Sequence, residues 1–173
     1  MKRPAVFFDR DGTLMDEVDF CNDPAAVRAL PGMKEALTEL RNAGWLIFII
    51  TNQSGIARGK ISSAQYEAVH KELLHQLDYQ IDATYFCPDL PPSPRRKPQI
   101  GMVLDATRDF PVNLAQSYFV GDKEMDIECG KRSGMHSILV TSGYGDRYRD
   151  CGADYLFPDA VAAAKFILRG KFL

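Results

Sequence analysis

The chain has 173 residues, 46% of them hydrophobic, with 21 Lys and Arg against 23 Asp and Glu for a net charge of −2. That length suits one domain, 1–173, with a sizeable core. The balanced charge argues against a nucleic-acid or membrane partner, and no apolar run approaches the roughly 20 residues of a membrane span. Lys2 and Arg3 are followed by too short an apolar stretch before Asp9 to make a signal peptide. Cys21, Cys87, Cys129 and Cys151 are widely spaced without a Cys-x-x-Cys pair. Reduced thiols and a cytoplasmic protein are therefore expected.

Ala5–Phe8 reads as a short buried strand that ends abruptly in Asp9-Arg10-Asp11-Gly12-Thr13. Leu14 to Pro31 lacks periodicity and reads as a long loop. Met33, Ala36, Leu37 and Leu40 recur at helical spacing, with Gly44 as the cap beyond them. Trp45 to Ile50 is a continuous apolar run, a strand buried on both faces, ending in Thr51-Asn52-Gln53. Ser62 and Gln65 resemble a capping box at the start of a helix over Ser62–Leu77. Thr84 to Cys87 is a short strand. Pro88 to Pro98, with five prolines around Arg95, Arg96 and Lys97, is neither helix nor central strand. Gly101 to Asp109 reads as helix and Ser117 to Val120 as strand, ending in Gly121-Asp122-Lys123-Glu124-Met125-Asp126. A helix to about Gly134, a strand over Ser137–Val140, a Gly-rich loop through Gly145, a short strand at Tyr155–Phe157 and a helix from Asp159 to Leu168 complete the chain.

Strands alternating with helices predict an α/β fold, a Rossmann-like parallel sheet with helices on both faces. In such sheets ligands bind outside the carboxyl ends of the strands. Three predicted strands end in polar motifs: Asp9-x-Asp11, Thr51-Asn52 and Gly121-Asp122. Asp-x-Asp-Gly-Thr taken alone fits either a solvated turn or a hard-metal site. The convergence of three such ends favours a site. Asp9, Asp11, Asp122 and Asp126 offer oxygen ligands for Mg²⁺, Thr51 offers a hydrogen-bond donor, and Lys97 or Lys123 a cation. That set suits phosphoryl transfer.

These residues carry a family resemblance. Asp9-x-Asp11-Gly12-Thr13, Thr51, Lys97 and Gly121-Asp122-x-x-x-Asp126 resemble, in order, the four motifs of the haloacid dehalogenase (HAD) phosphatase superfamily. The longer matches, Thr51 to Gly59, Arg96-Lys97-Pro98 and Gly121-Asp122-Lys123, are similar to its group of heptose-bisphosphate and histidinol-phosphate phosphatases. The resemblance implies Asp9 as nucleophile, forming an aspartyl-phosphate, and Asp11 as acid and then base. Mg²⁺ would be held by Asp9, the Asp11 carbonyl and Asp122. Thr51 and Lys97 would stabilise the phosphoryl group, while Asn52, Arg58, Arg96 and Lys123 would meet the substrate. Asp126 is left either supporting the site or exposed at a helix start.

Many members of that group carry a zinc loop of Cys-x-His followed by Cys-x-Cys. Here Cys87-Pro88-Asp89 keeps the first Cys and lacks the rest, so no zinc is expected and the prolines stiffen a shortened loop. The intervals between motifs leave no room for a separate cap domain. Specificity is then assigned to the loops Met15–Pro24, Asn52–Ile61 and Cys87–Gly101, with Arg58, Arg95 and Arg96 facing an anionic substrate. His70, His75, His136 and Trp45 read as structural, and 146–150 as a solvated loop. A small phosphorylated sugar, histidinol phosphate or another phosphomonoester fits as substrate. A monomer is the working expectation, although no sequence feature sets the oligomeric state. A non-catalytic receiver-like phospho-acceptor is the alternative from another class, and Asp11 argues against it. A carboxylic acid two residues beyond the nucleophile lets an acyl-phosphate turn over.

Overall fold

The structure is a computed structural model, and it describes residues 1–170. The first strand, β1 (Ala5–Phe8), is followed by α1 (Met33–Asn42), β2 (Leu46–Asn52), α2 (Ser63–Gln76), β3 (Ala83–Cys87) and α3 (Gly101–Asp109). Then come β4 (Tyr118–Gly121), α4 (Glu124–Arg132), β5 (His136–Val140), β6 (Tyr155–Phe157) and α5 (Ala160–Arg169). The strands form one six-stranded sheet in the order β3-β2-β1-β4-β5-β6, every pair parallel. The order reverses at β1, which lies between β2 and β4, so the crevice of an open α/β sheet falls at the end of the strand that precedes Asp9.

The pleat sorts the apolar runs into two cores. Val6 and Phe8 face one side with Ile47, Ile49, Val120 and Ile138, covered by α1, α2 and α5 through Leu37, Leu73 and Ile167. Ala5 and Phe7 face the other with Phe48, Ile50 and Phe119, covered by α3 and α4 through Val103 and Cys129. Burial on both faces explains why β1 and the first five residues of β2 are apolar without alternation. The predicted caps are in place. Ser62 accepts from the Gln65 amide while the Gln65 side chain accepts from Ser62. Asp159 accepts from the Ala162 amide, and Gly44 follows α1 with a φ of 85° that only glycine adopts readily.

The structure differs from the sequence reading at several places. Trp45 precedes β2 rather than opening it, yet it is buried in the core with its ring 5.8 Å from that of Tyr118. The stretch 14–31 is tied down: Leu30 N donates to Leu14 O, Asp16 N to Arg28 O, and Asp23 caps a short 3₁₀ turn at Pro24–Ala26. Part of 146–150 lies in another 3₁₀ turn, Gly145–Tyr148, with Asp146 paired to Arg149. Periodicity carries no signal for either turn, because neither buries an apolar stripe.

Ser117, expected as the first residue of β4, instead locks the strand's entry. Its buried hydroxyl donates to Asn113 O at 2.6 Å and accepts from Ala5 N at 2.9 Å, joining β1 to the β4 approach. Ser117→Ala leaves the buried Ala5 amide unpaired, while Asn113 O keeps the Gln116 amide at 3.2 Å. It should therefore destabilise the fold by about 1–3 kcal/mol. Equilibrium urea unfolding checks this, and an unchanged midpoint would contradict the role.

Candidate active site

The carboxyl ends of β1, β2 and β4 deliver Asp9, Thr51 and Asp122 to one edge, all three buried. Asp9 N donates to Val120 O at 2.9 Å, continuing the β1–β4 ladder one residue past the strand and fixing where the carboxylate starts. Lys97 enters from the β3–α3 loop. Its ammonium lies 2.6 Å from Asp9 Oδ1, 2.8 Å from Ile50 O and 2.7 Å from Asp126 Oδ1, with 2% of the side chain exposed. The last contact is an ion pair rather than an aligned hydrogen bond. Burial alone would lower the Lys97 pKa, but Asp126 and Asp9 outweigh it and raise the group above its ordinary value.

Asp126 is thereby decided between its two readings: it is 1% exposed and holds Lys97. Its Oδ2 accepts from Lys123 N at 3.0 Å, so both oxygens have partners. Burial and Asp9 push its carboxyl up to about 6, against the opposing pull of Lys97.

Asp122 differs. Its Oδ2 accepts from Tyr144 N at 2.9 Å, while its Oδ1 is buried with no partner. Burial, then Asp9 and Asp126, pushes this carboxyl up to about 8. Backbone crowds it from two sides. A Cβ on Gly12 would lie 2.4 Å from Asp122 Oδ2, and one on Gly143 2.3 Å from it; both glycines have positive φ.

Carboxylate oxygens of Asp9, Asp122 and Asp126 lie within 4.8 Å of one another. Concentrated anionic charge with an unpartnered buried oxygen fits a hard divalent cation bound by oxygen ligands. Asp126 has a protein partner on each oxygen, whereas Asp9 is paired through Oδ1 alone and Asp122 Oδ1 has no partner, so Asp9 and Asp122 are the side chains that fit such an ion. The Asp11 carboxylate lies outside this trio. It accepts from Arg10 Nε at 3.0 Å, Arg10 Nη2 at 3.1 Å and Gln53 Nε2 at 2.9 Å.

Asp9, Asp11, Thr51, Asn52, Lys97, Lys123, Met125 and Asp126 line a small cavity of about 40 Å³. Two larger ones flank it. One, about 230 Å³, is polar and includes Glu17, Asp19, Asn52, Gln53, Ser54, Lys123 and Tyr144. The other, about 670 Å³, is walled by Pro91, Pro92, Pro94, Pro98, Arg96 and Met125.

A family model described as HAD-hydrolase-like matches residues 94–163. Among curated proteins, the D-glycero-D-manno-heptose-1,7-bisphosphate 7-phosphatase of Thermosynechococcus vestitus is 36% identical over 96% of this chain and 96% of its own. The D-glycero-beta-D-manno-heptose-1,7-bisphosphate 7-phosphatase of Escherichia coli K12 is 33% identical over 81% of this chain and 80% of its own. The chain belongs to the HAD-like phosphatase family. A crystal structure of the D,D-heptose 1,7-bisphosphate phosphatase from B. bronchiseptica, complexed with magnesium and phosphate, superposes with a TM-score of 0.89. It is 32% identical and covers 96% of this chain and 99% of that one. The receiver-like alternative is set aside by these relatives.

Within this HAD phosphatase several expected substrate contacts are placed differently. The Asn52 amide clamps the Lys97 backbone, donating to Lys97 O at 3.1 Å and accepting from Lys97 N at 3.0 Å, so its first duty is to hold the lysine. Arg58 is exposed and lines none of the three cavities. Arg95 turns away to pair with Asp105 and Phe86 O. Arg96 reaches the cavity wall, its Nη1 on Asp89 O at 3.2 Å. Lys123 Nζ lies 3.8 Å from Glu17 and 4.9 Å above the Tyr144 ring.

Sequence reasoning passed over Gln53, Glu17, Tyr144 and Arg10. Gln53 sits inside the Thr51–Gly59 match, and Tyr144 inside the Gly-rich loop after β5. Glu17 carried no signal, being one acid in an aperiodic stretch. The shortened loop is organised by hydrogen bonds: Ser93 Oγ donates to Asp89 Oδ2 at 2.9 Å, and Cys87 Sγ lies 3.6 Å from both groups. The cysteines are free thiols, and no helix of the described residues is long and apolar enough to cross a membrane.

The raised Asp122 pKa gives a signed expectation. Without a cation, the folded chain keeps a proton on Asp122 that the unfolded chain loses at about pH 4. Stability from this group therefore falls as pH rises toward about 8. A bound cation removes that proton and cancels the loss. The rise in Tm on adding Mg²⁺, measured calorimetrically against EDTA, should be larger near pH 8 than near pH 6. An increment that shrinks over this range would contradict the assignment.

Proposed function

We propose that this phosphatase removes one phosphate from a heptose 1,7-bisphosphate-type sugar through an aspartyl-phosphate on Asp9, with Mg²⁺ as cofactor. The observation that carries the reading is the joint opening of Asp9 and Asp11 into one small cavity with Lys97, Thr51 and Lys123 on its wall. Relatives that match along nearly the whole chain supply the substrate class.

Asp9 is the nucleophile. It is placed by the β1–β4 ladder and its second oxygen is left for attack by the Lys97 contact on Oδ1. A carboxylate approaching a phosphate dianion meets like-charge repulsion, which Lys97 and Lys123 reduce. Mg²⁺, held by Asp9, the Asp11 carbonyl and Asp122, supplies further charge neutralisation when bound. The buried, partnerless Asp122 Oδ1 is the feature that suits it. Thr51, fixed by Gln53 at 2.8 Å, presents its hydroxyl to the phosphoryl oxygens. Asp11 protonates the sugar oxygen as the ester bond breaks. It then takes a proton from the water that attacks the aspartyl-phosphate.

The two flanking cavities divide the rest of the substrate. Glu17 and Asp19 accept hydrogen bonds from sugar hydroxyls in the polar one. Arg96 meets a second phosphate from the proline-walled one, where a guanidinium grips two oxygens at once. The chain works as one capless domain. The 88–98 loop is held by Cys87, Asp89, Ser93 and the prolines rather than by zinc.

Asp9→Asn should abolish both turnover and covalent phosphorylation. Asp11→Asn should keep the phosphorylation site but lower kcat by about 100- to 10,000-fold, the usual contribution of acid–base catalysis. Steady-state assay and acid-quenched mass spectrometry check both, and wild-type rates in Asp9→Asn would remove the mechanism. Arg96→Ala should lower kcat/KM for a heptose bisphosphate by about 10- to 150-fold, the worth of a charge-assisted hydrogen bond. A heptose monophosphate should lose much less, and an equal loss for both would reject the second-phosphate role.

A further inference from the structure

Arg10 has no part in the reaction as described, yet it is the bulkiest of the fully buried side chains, 1% exposed. A guanidinium taken out of water is strongly disfavoured unless it is paired and hydrogen-bonded. Here the pairing is specific. Nε and Nη2 form a two-pronged contact with the two oxygens of Asp11, and the guanidinium carbon lies 5.3 Å from the centre of the Tyr66 ring. Behind it, Tyr66 stacks on His70 at 5.7 Å and 7°, and His70 Nε2 meets Thr84 Oγ1 at 3.0 Å. Burial, and then Arg10 itself, lowers the His70 pKa to about 4, so this backing is neutral at pH 7. The positive fork thus has a neutral aromatic wall behind it and one carboxylate in front.

An ionised carboxylate has about four acceptor positions. On Asp11 three are filled. Oδ2 accepts from Arg10 Nε and Gln53 Nε2, and Oδ1 from Arg10 Nη2. The remaining position is on Oδ1, while 17% of the Asp11 side chain stays exposed toward the cleft.

We infer that Arg10 is the positioning residue for Asp11, its two-pronged grip leaving Oδ1 as the atom that exchanges protons with substrate and water. The inference rests on the reading of Asp11 as acid and base. In the second half-reaction Asp11 Oδ1 takes a proton from water as the water oxygen bonds to phosphorus. The phosphorus–oxygen bond to Asp9 breaks, its electron pair returns to the Asp9 carboxylate, and inorganic phosphate leaves. The proton on Oδ1 then serves the next leaving oxygen. Without the fork, rotation of the carboxyl group moves Oδ1 off the water's line.

The test uses the full chain with Mg²⁺ and p-nitrophenyl phosphate, whose leaving group needs little protonation, so the first half-reaction bypasses Asp11. Arg10→Met should give a rapid burst of p-nitrophenolate approaching one per chain, then turnover about 100-fold below wild type, the cost of a misplaced catalytic group. Acid-quenched mass spectrometry should show the phosphoryl group retained on Asp9. Arg10→Lys, which keeps a buried cation but has no fork, should show the same pattern with a loss of about 10-fold, and serves alone if Arg10→Met does not fold. A purely structural role would shrink the burst amplitude, as fewer chains are active, while leaving the rate per active chain unchanged; that result overturns the inference, as does wild-type turnover in either variant. If Asp11→Asn also traps no phosphoryl adduct, the aspartyl-phosphate reading fails and the positioning role falls with it.

Discussion

The site depends on burying Lys97 between Asp9 and Asp126. Three carboxylates at one sheet edge would repel strongly in a region water hardly reaches. A buried ammonium 2.6–2.7 Å from two of them makes the arrangement tolerable. Its position is set at both ends. Asn52 holds the Lys97 backbone from the end of β2, while Ile50 O and the two carboxylates hold the ammonium. Charge compensation and strand geometry are therefore one problem, solved by the β3–α3 loop folding across the end of β2.

Close backbone approach is the second constraint. A Cβ on Gly121 would come within 2.3 Å of Asp126 Cβ, so β4 ends in glycine to let the first turn of α4 bring Asp126 beneath Lys97. Gly12 and Gly143 press in the same way on Asp122, and Ser142 Oγ ties the two loops together through Gly12 O at 2.9 Å. The result is asymmetric. Asp126 has both oxygens committed to the protein, while Asp122 keeps one bare. The same residue type serves as internal brace in one place and cation ligand in the other because its neighbours differ.

Much of this was legible from the chain. Apolar runs of four to six residues alternating with helical stripes specified a parallel sheet, because only strands buried on both faces need uninterrupted Val, Ile and Phe. Parallel strands put their ends on one edge, so Asp9, Thr51 and Asp122 had to meet. Ser62 and Asp159 declared their helix starts because capping is local chemistry between residues three apart. The family likeness of Thr51 to Gly59 and Arg96-Lys97-Pro98 was equally a property of the linear chain.

Tertiary structure decided which partners each polar group took. Asn52, Arg58 and Arg96 look alike as polar members of loops near the site. Yet Asn52 turns inward to Lys97, Arg58 points to solvent and Arg96 reaches a cavity wall, according to how their loops pack. Arg10, flanked by two acids, gave no sign of being buried, since charged residues rarely are and only Asp11 and Tyr66 in three dimensions make burial acceptable. Asp126 stayed between two roles for the same reason. Backbone pattern and local caps follow from residue type and spacing along the chain, whereas the partner of a charge depends on the direction in which each loop returns, which spacing does not encode.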